Sequence, residues 1–337
     1  MSTVILLAPD ANSDQVARAL TGLGLWPKAV KGPEQQVEAF TLATFSQHVT
    51  AAEIATIEGV MRVLESPSAH PKLDARAGVQ AAIPLKKHGV LRIGGDLAPV
   101  LAAGPCAAES EEQVHRCAEL VHKAGGRLLR GGAYKPRTAP YSFSGFGQPA
   151  LEWLRTAADA YGLGLVTEVM SERHVDAVAE AADLIQVGSR NMQNFALLRA
   201  IGGAKKPVLL KRGAAAELDE WRLAAEHLLH AGATDVIFCA RGVRGPTDET
   251  RYVLDLGAVA LLKHVDGHKV FVDPSHAAGR RDLILPLAQA ALAAGADGLL
   301  VETHPDASQA RSDGAQALSP RQLLTLGQRF ESTVRAA

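Results

Sequence analysis

The sequence predicts an α/β protein, a (β/α)8 TIM barrel preceded by a small ferredoxin-like βαββαβ domain. Three observations carry that prediction. From residue 99 onward, eight short apolar runs alternate with amphipathic stretches at an average spacing of about 28 residues, as eight βα units require. The runs are apolar on both sides, as parallel strands covered on both faces are. No glycine-rich dinucleotide fingerprint accompanies them, which disfavours an open doubly wound sheet.

The elements of the first module, residues 1–66, follow in order. Val4–Leu7 is a short apolar strand. Ser13 is placed to cap a helix to about Thr21, with Val16, Ala17 and Leu20 on one face. Val30 lies in a second strand before the turn Lys31-Gly32-Pro33, and Val37 to Ala43 alternates as a third. Thr50 caps a helix through Ile54 and Ile57, and Val60 to Leu64 is the last strand. This is the split β-α-β order. Such a module is either a structural appendage or a regulatory unit for a small effector or a partner. Residues 67–98 are predicted as linker and β-hairpin, with the hairpin strands on either side of Gly94-Gly95.

The barrel, residues 99–337, has candidate strands at Val100–Ala103, Arg127–Leu129, Gly164–Thr167, Leu184–Val187, Val208–Leu210, Val236–Phe238, Val270–Val272 and Gly298–Val301. Helical segments between them include Glu111–Lys123, Ala150–Ala160, Asp219–His230 and Asp282–Ala293.

Bulk properties exclude several classes. With 35 basic and 36 acidic residues the net charge is −1, so no overall field draws the chain to nucleic acid or an anionic membrane. The N-terminal apolar run is short and soon followed by Asp10 and Asp14, unlike a signal peptide. No stretch reaches the roughly 18 apolar residues of a membrane span. The expected location is cytoplasmic. Three cysteines, Cys106, Cys117 and Cys239, make no disulfide framework.

In such a barrel the chemistry lies at the C-terminal ends of the strands. Almost every candidate strand here ends on an ionisable residue, while the strands carry few. Arg130, Lys135, Arg137, Arg190, Lys211 and Arg241 form a basic group. Six cations at one mouth of a near-neutral chain suit a ligand with several phosphate or carboxylate groups. Scattered surface salt bridges are the alternative. Cys106, His276, Glu302 and Asp313 form a second group, whose mixed sulfur, nitrogen and oxygen donors suit one catalytic divalent ion with an open position. Manganese, iron, cobalt and zinc are all compatible with such a set. The alternative is a core cysteine and a histidine that merely hydrogen-bonds. Lys211, beside Arg212, also suits a Schiff-base lysine.

Seven segments carry a family resemblance: AGPCAAES (103–110), RGGAYKPRTAPYSFSGFG (130–147), TEVM (167–170), QVGSRNMQNF (186–195), PVLLKRG (207–213), VDPSHAAGRRDL (272–283) and GADGLLVETHPDASQARSDGAQAL (295–318). They span the barrel, and together they resemble the 3-deoxy-D-arabino-heptulosonate 7-phosphate (DAHP) synthases, in the subtype with an N-terminal ferredoxin-like domain. The resemblance implies a metal-dependent condensation of phosphoenolpyruvate with D-erythrose 4-phosphate in the shikimate pathway. It implies metal ligands at Cys106, His276, Glu302 and Asp313. Phosphoenolpyruvate contacts fall on Arg130, Lys135, Glu168, the Ser189 backbone, Arg190, Lys211 and Arg241, and the aldose phosphate falls on Lys135, Pro136, Arg137 and Thr138. Lys135, Cys106 and His276 are the implied catalytic residues, and Lys211 becomes an anion-binding group instead of a Schiff base. A homotetramer and an aromatic amino acid effector at the first domain are implied partners.

Two departures stand out. Relatives usually carry Glu before the arginine matching Arg241, where this chain has Ala240, so a carboxylate near the substrate is expected to be missing. Regulated relatives use His and Ser in the second strand of the small domain, where Lys28 and Val30 stand here, which leaves the effector open. The sister synthase that uses arabinose 5-phosphate resembles Lys-Ala-Asn-Arg in its aldose loop, against Lys135-Pro136-Arg137-Thr138 here. That sister activity and a catalytically silent barrel are the competing functions.

Overall fold

The computed structural model describes residues 3–47, 49–135, 141–246 and 248–336. The chain divides into two compact units, Met1–Ala69 and His70–Ala337.

In the first unit, β1 (Thr3–Leu7), α1 (Ser13–Gly22), β2 (Leu25–Lys31), β3 (Val37–Phe45), α2 (Ala51–Ala55) and β4 (Val60–Glu65) follow the predicted order. The antiparallel sheet runs β2-β3-β1-β4, the ferredoxin-like arrangement. Alternation sends Ile5, Leu7, Leu25 and Phe40 to one face, where they pack with Val16 and Leu20 of α1 and Ile54 of α2. The cap of α1 is Asn12 and not Ser13: its Oδ1 accepts from the Gln15 amide at 3.1 Å. Thr50 caps α2 with a reciprocal box, its hydroxyl accepting from Glu53 N at 3.2 Å while the Glu53 carboxylate accepts from Thr50 N at 2.7 Å.

The second unit opens with α3 (Pro71–Asp74) and a hairpin, β5 (Ala81–Leu85) with β6 (Gly89–Ile93). Here the sequence expectation is corrected. The hairpin turns at 86–88 and not at Gly94-Gly95, so its first strand lies in the stretch taken as linker. Pro84 hid that strand; it is tolerated because a two-stranded sheet has only edge strands.

Eight parallel strands then close a barrel: β7 (Val100–Gly104), β8 (Leu128–Arg130), β9 (Gly164–Val169), β10 (Leu184–Val187), β11 (Val208–Lys211), β12 (Val236–Ala240), β13 (Val270–Val272) and β14 (Gly298–Glu302). Around them lie α4 (Glu111–Lys123), α5 (Gln148–Ala160), α6 (Val175–Ala181), α7 (Phe195–Gly203), α8 (Leu218–Ala231), α9 (Leu256–Ala260), α10 (Pro274–Ala278), α11 (Ile284–Ala293) and α12 (Pro320–Ala336). Among the described residues no helix is long and apolar enough to cross a membrane.

The strands alternate between two cores. Leu101, Leu129, Leu210, Phe238 and Leu299 face the helices. Ala102, Leu128, Val166, Leu209, Ile237, Phe271 and Leu300 face inward, where Ile83, Leu85, Leu91 and Ile93 of the hairpin pack against them. The hairpin sits at the N-terminal end: a Cβ on Gly164, the first residue of β9, would come within 2.7 Å of Leu85 Cδ2. It floors the barrel.

His268, before β13, is 3 % exposed and its Nδ1 has no hydrogen-bond partner. Burial pushes its pKa down to about 4. A histidine with a depressed folded pKa favours folding above its unfolded pKa of about 6.5, and that contribution is lost as pH falls through the folded value. Urea unfolding is expected to show stability dropping between pH 6.5 and 4, with this residue contributing on the order of 2 kcal/mol. In His268→Asn the slope over that window should be shallower; an identical slope would remove His268 as its source.

Candidate active site

The site follows from carrying the inward register of each strand two residues further. Beyond Leu128 comes Arg130, beyond Val166 comes Glu168, beyond Leu184 comes Gln186 and beyond Leu209 comes Lys211. Beyond Cys239, Phe271 and Leu300 come Arg241, Asp273 and Glu302. A period of two therefore sets a polar layer directly on the apolar interior, facing the C-terminal mouth. On β7 the same position is Gly104, with φ +151°, where an added Cβ would lie 2.0 Å from the Arg130 carbonyl oxygen. Only glycine lets the loop that follows approach β8 so closely, and that loop brings Cys106 into the mouth.

Cys106, Glu302 and Asp313 converge, their ligand atoms all within 4.8 Å of one another. Cys106 Sγ lies 3.1 Å from Asp313 Oδ2 and 3.0 Å from Ser312 Oγ. His276 Nε2 joins the cluster 3.4 Å from Glu302 Oε1. Its other nitrogen, Nδ1, is 2.7 Å from Asp273 Oδ2, so the aspartate fixes the tautomer and leaves Nε2 for a ligand. Asp313 has φ +54°, an uncommon backbone for a non-glycine residue, and its loop is braced by Arg281, which donates to the Gly314 carbonyl at 2.7 Å. One thiol, one imidazole and two carboxylates suit a borderline divalent ion.

The electrostatics follow from burial and neighbours. Burial, with Glu302 beside it, pushes the Cys106 thiol up to about 12. Burial alone would also raise Glu302, but His276 and Arg130 hold it below the usual carboxylate range. Asp273 is held well below that range by His276 and Lys211 against complete burial.

The cations sit beside this cluster. Arg130 Nη1 donates to Glu302 Oε1 at 3.0 Å and to the Pro105 carbonyl at 2.9 Å. Lys135 Nζ lies 2.9 Å from the Cys106 carbonyl and 3.0 Å from its sulfur. Lys211 Nζ donates to Asp273 Oδ2 at 2.6 Å. A cavity of about 500 Å³ opens on Lys135, Glu168, Arg190, Lys211, Arg241 and His276, among others. Ser189 also lines it, with its hydroxyl turned away to donate to the Arg212 carbonyl at 2.7 Å.

Pro136, Arg137 and Thr138 lie outside the described residues. Ala240 packs in the cluster between strands and helices, off the inward register that Cys239 and Arg241 occupy, so a side chain there starts out toward the helix layer. Sequence reasoning assigned no role to Asp273, Gln186, Arg251, Tyr252 or Gln316. Gln186 donates to Glu168 at 3.2 Å, Gln316 donates to Glu302 Oε2 at 2.6 Å, and Arg251 donates to Asp313 Oδ1 at 3.2 Å. The period of two would have found Asp273 and Gln186. The others lie in loops, where no period applies.

Fold and site together define a barrel enzyme that handles anionic small molecules. Residues 80–335 match the DAHP synthetase I family. The chain is 47% identical over 230 residues to a phospho-2-dehydro-3-deoxyheptonate aldolase of Thermotoga maritima, covering 68% of each chain. It is 32% identical over 237 residues to a 2-dehydro-3-deoxyphosphooctonate aldolase of Acidithiobacillus ferrooxidans, covering 64% of this chain and 83% of that one. A crystal structure of the Thermotoga maritima phospho-2-dehydro-3-deoxyheptonate aldolase (DAHP synthase) superposes with a TM-score of 0.75 at 35% identity, covering 99% of this chain and 98% of that one. The chain belongs to the DAHP synthetase I family.

Proposed function

We propose that the protein condenses phosphoenolpyruvate with D-erythrose 4-phosphate and water to give DAHP and inorganic phosphate, the first step of the shikimate pathway. One observation supports this above the others: a cation-lined cavity of about 500 Å³ abuts a thiol, imidazole and carboxylate cluster. A divalent ion on Cys106, His276, Glu302 and Asp313, manganese by preference, would supply Lewis-acid polarisation of the aldehyde.

The remaining work falls to the chain's own groups. Lys211 and Arg241 line the cavity, with Arg190 from the loop after β10 and the buried Arg130 held on Glu302, and these cations hold the phosphate and carboxylate of phosphoenolpyruvate; Glu168 and the Ser189 backbone complete that pocket. Orientation of this kind aligns the enol carbon with the aldehyde. The new carbon–carbon bond leaves C2 cationic; it takes up water, and phosphate departs. Lys135, an ammonium beside the cluster, donates a proton to the new alkoxide. The loop of Lys135, Pro136, Arg137 and Thr138 holds the aldose phosphate. The same family reading extends to a homotetramer and to an aromatic amino acid effector at the first unit.

Phosphate release should be followed with Mn²⁺, phosphoenolpyruvate and each aldose phosphate in turn. Turnover with erythrose 4-phosphate that stops on chelation is expected. Turnover only with arabinose 5-phosphate would replace this function by the sister one, turnover surviving complete chelation would remove the metal, and none with either would point to a silent barrel.

A further inference from the structure

Arg241 differs from the other inward-facing cations. Arg130 is paired with Glu302 at 3.0 Å and Lys211 with Asp273 at 2.6 Å. Among the described residues no carboxylate pairs with Arg241, although the residue is only 6 % exposed, and its Nη1 is buried without a hydrogen-bond partner. A buried guanidinium with a free donor on a cavity wall is held for an acceptor that arrives from outside. Something must nevertheless hold it in place.

Tyr252 does so. The Arg241 guanidinium carbon lies 4.1 Å from the centre of the Tyr252 ring. The Arg241 cation, with Arg251 and Arg190 nearby, draws the phenol pKa down against burial. The backbone is shaped for this contact. Gly242, with φ +89°, passes so close that a Cβ there would lie 2.6 Å from Tyr252 Cβ. Val243 and Val253 exchange both backbone hydrogen bonds at 2.9 Å, and Tyr252 N donates to the Ala277 carbonyl, also at 2.9 Å. The segment is thus pinned both to the loop of Arg241 and to α10, which carries His276. Arg251, the preceding residue, reaches the other way to Asp313 and to Gln316.

We propose that Tyr252 is a positioning residue that presents Arg241, uncompensated, to an anionic group of phosphoenolpyruvate. A carboxylate in its place would orient the guanidinium but also neutralise it and compete with the substrate. An aromatic face and a neutral phenol orient it and leave the charge to the ligand. This rests on the reading of Arg241 as a phosphoenolpyruvate contact, and the experiment separates the two.

Phosphoenolpyruvate affinity is measured by calorimetry on the full-length chain, alongside KM for each substrate. Tyr252→Leu is expected to weaken phosphoenolpyruvate binding about tenfold, a loss of the size a desolvated cation–π contact supports. Tyr252→Phe keeps the ring that Arg241 lies over and should stay within about threefold of the wild type. The KM for phosphoenolpyruvate should rise while that for the aldose phosphate holds. On an Arg241→Ala background, Tyr252→Leu should add nothing. Tyr252 is part-exposed, so its truncation leaves the core intact. If Arg241→Ala itself leaves the affinity unchanged, the role of Arg241 fails and this proposal with it. If Arg241→Ala weakens binding but Tyr252→Leu does not, only the role of Tyr252 is overturned. Equal losses for both substrates, or a loss in Tyr252→Leu that persists without Arg241, would overturn it as well.

Discussion

Cys106→Ala is expected to fold, to lose its divalent ion and to lose at least about three orders of magnitude in turnover, since a thiolate ligand has no substitute nearby. The fold should survive because the substitution deletes one buried sulfur and no backbone bond. The Cys106 carbonyl still accepts from Gly132 N at 3.2 Å and from Lys135 Nζ at 2.9 Å. The thiol is pushed up to about 12 without an ion, so binding must displace its proton. Apparent metal affinity should therefore rise with pH in the wild type, and the variant should release one proton fewer. Equilibrium dialysis with metal analysis at several pH values reads both. Unchanged affinity and an unchanged rate would take Cys106 out of the site.

Asp273→Asn is the second large effect. Asp273 is completely buried and serves three donors: Lys211 Nζ at 2.6 Å, His276 Nδ1 at 2.7 Å and His276 N at 2.9 Å. An asparagine is nearly the same shape but turns an NH2 group toward one of these donors. Lys211 then keeps a buried charge with no counterion, which costs about 3–5 kcal/mol. At the size of this unit, that corresponds to a melting temperature lower by roughly 10 °C. His276 also loses the acceptor that fixes its Nδ1 proton, so Nε2 no longer reliably presents a lone pair beside Glu302. Metal affinity and kcat should each fall by about 10–100-fold, the usual cost of removing such a partner. Calorimetric melting and metal titration test the two halves separately. A variant with wild-type melting would show that Lys211 is satisfied elsewhere, and one with wild-type metal affinity would show that His276 orients itself.

The barrel was legible because its strands are short, apolar and evenly spaced, and because α4 begins and ends where its amphipathic pattern does, at Glu111 and Lys123. The first hairpin strand was obscured by Pro84 and by the charged turn after it. Cys106, His276, Glu302 and Asp313 stood out by residue type, and the structure brings three within 4.8 Å, with His276 against Glu302. Asp273 lay beside a conspicuous histidine and drew no role of its own, though in the structure it also caps α10 by accepting from the His276 amide. Ala240 stood out because relatives usually carry Glu there, but residue type alone does not tell which way a side chain at that position starts; its packing toward the helices does. In a strand, neighbours in sequence face opposite ways. Arg251 and Tyr252 follow a loop without periodicity, so only tertiary contacts reveal that they touch both halves of the site.

The floor made by β5 and β6 bears on traffic through the enzyme. With Ile83, Leu85, Leu91 and Ile93 filling the lower end, the barrel is a cul-de-sac and not a corridor. Whatever settles deep in the cavity, against Lys211, can leave only through the mouth by which it entered. Entry and exit thus share one doorway, and the charged groups around it meet every molecule that passes.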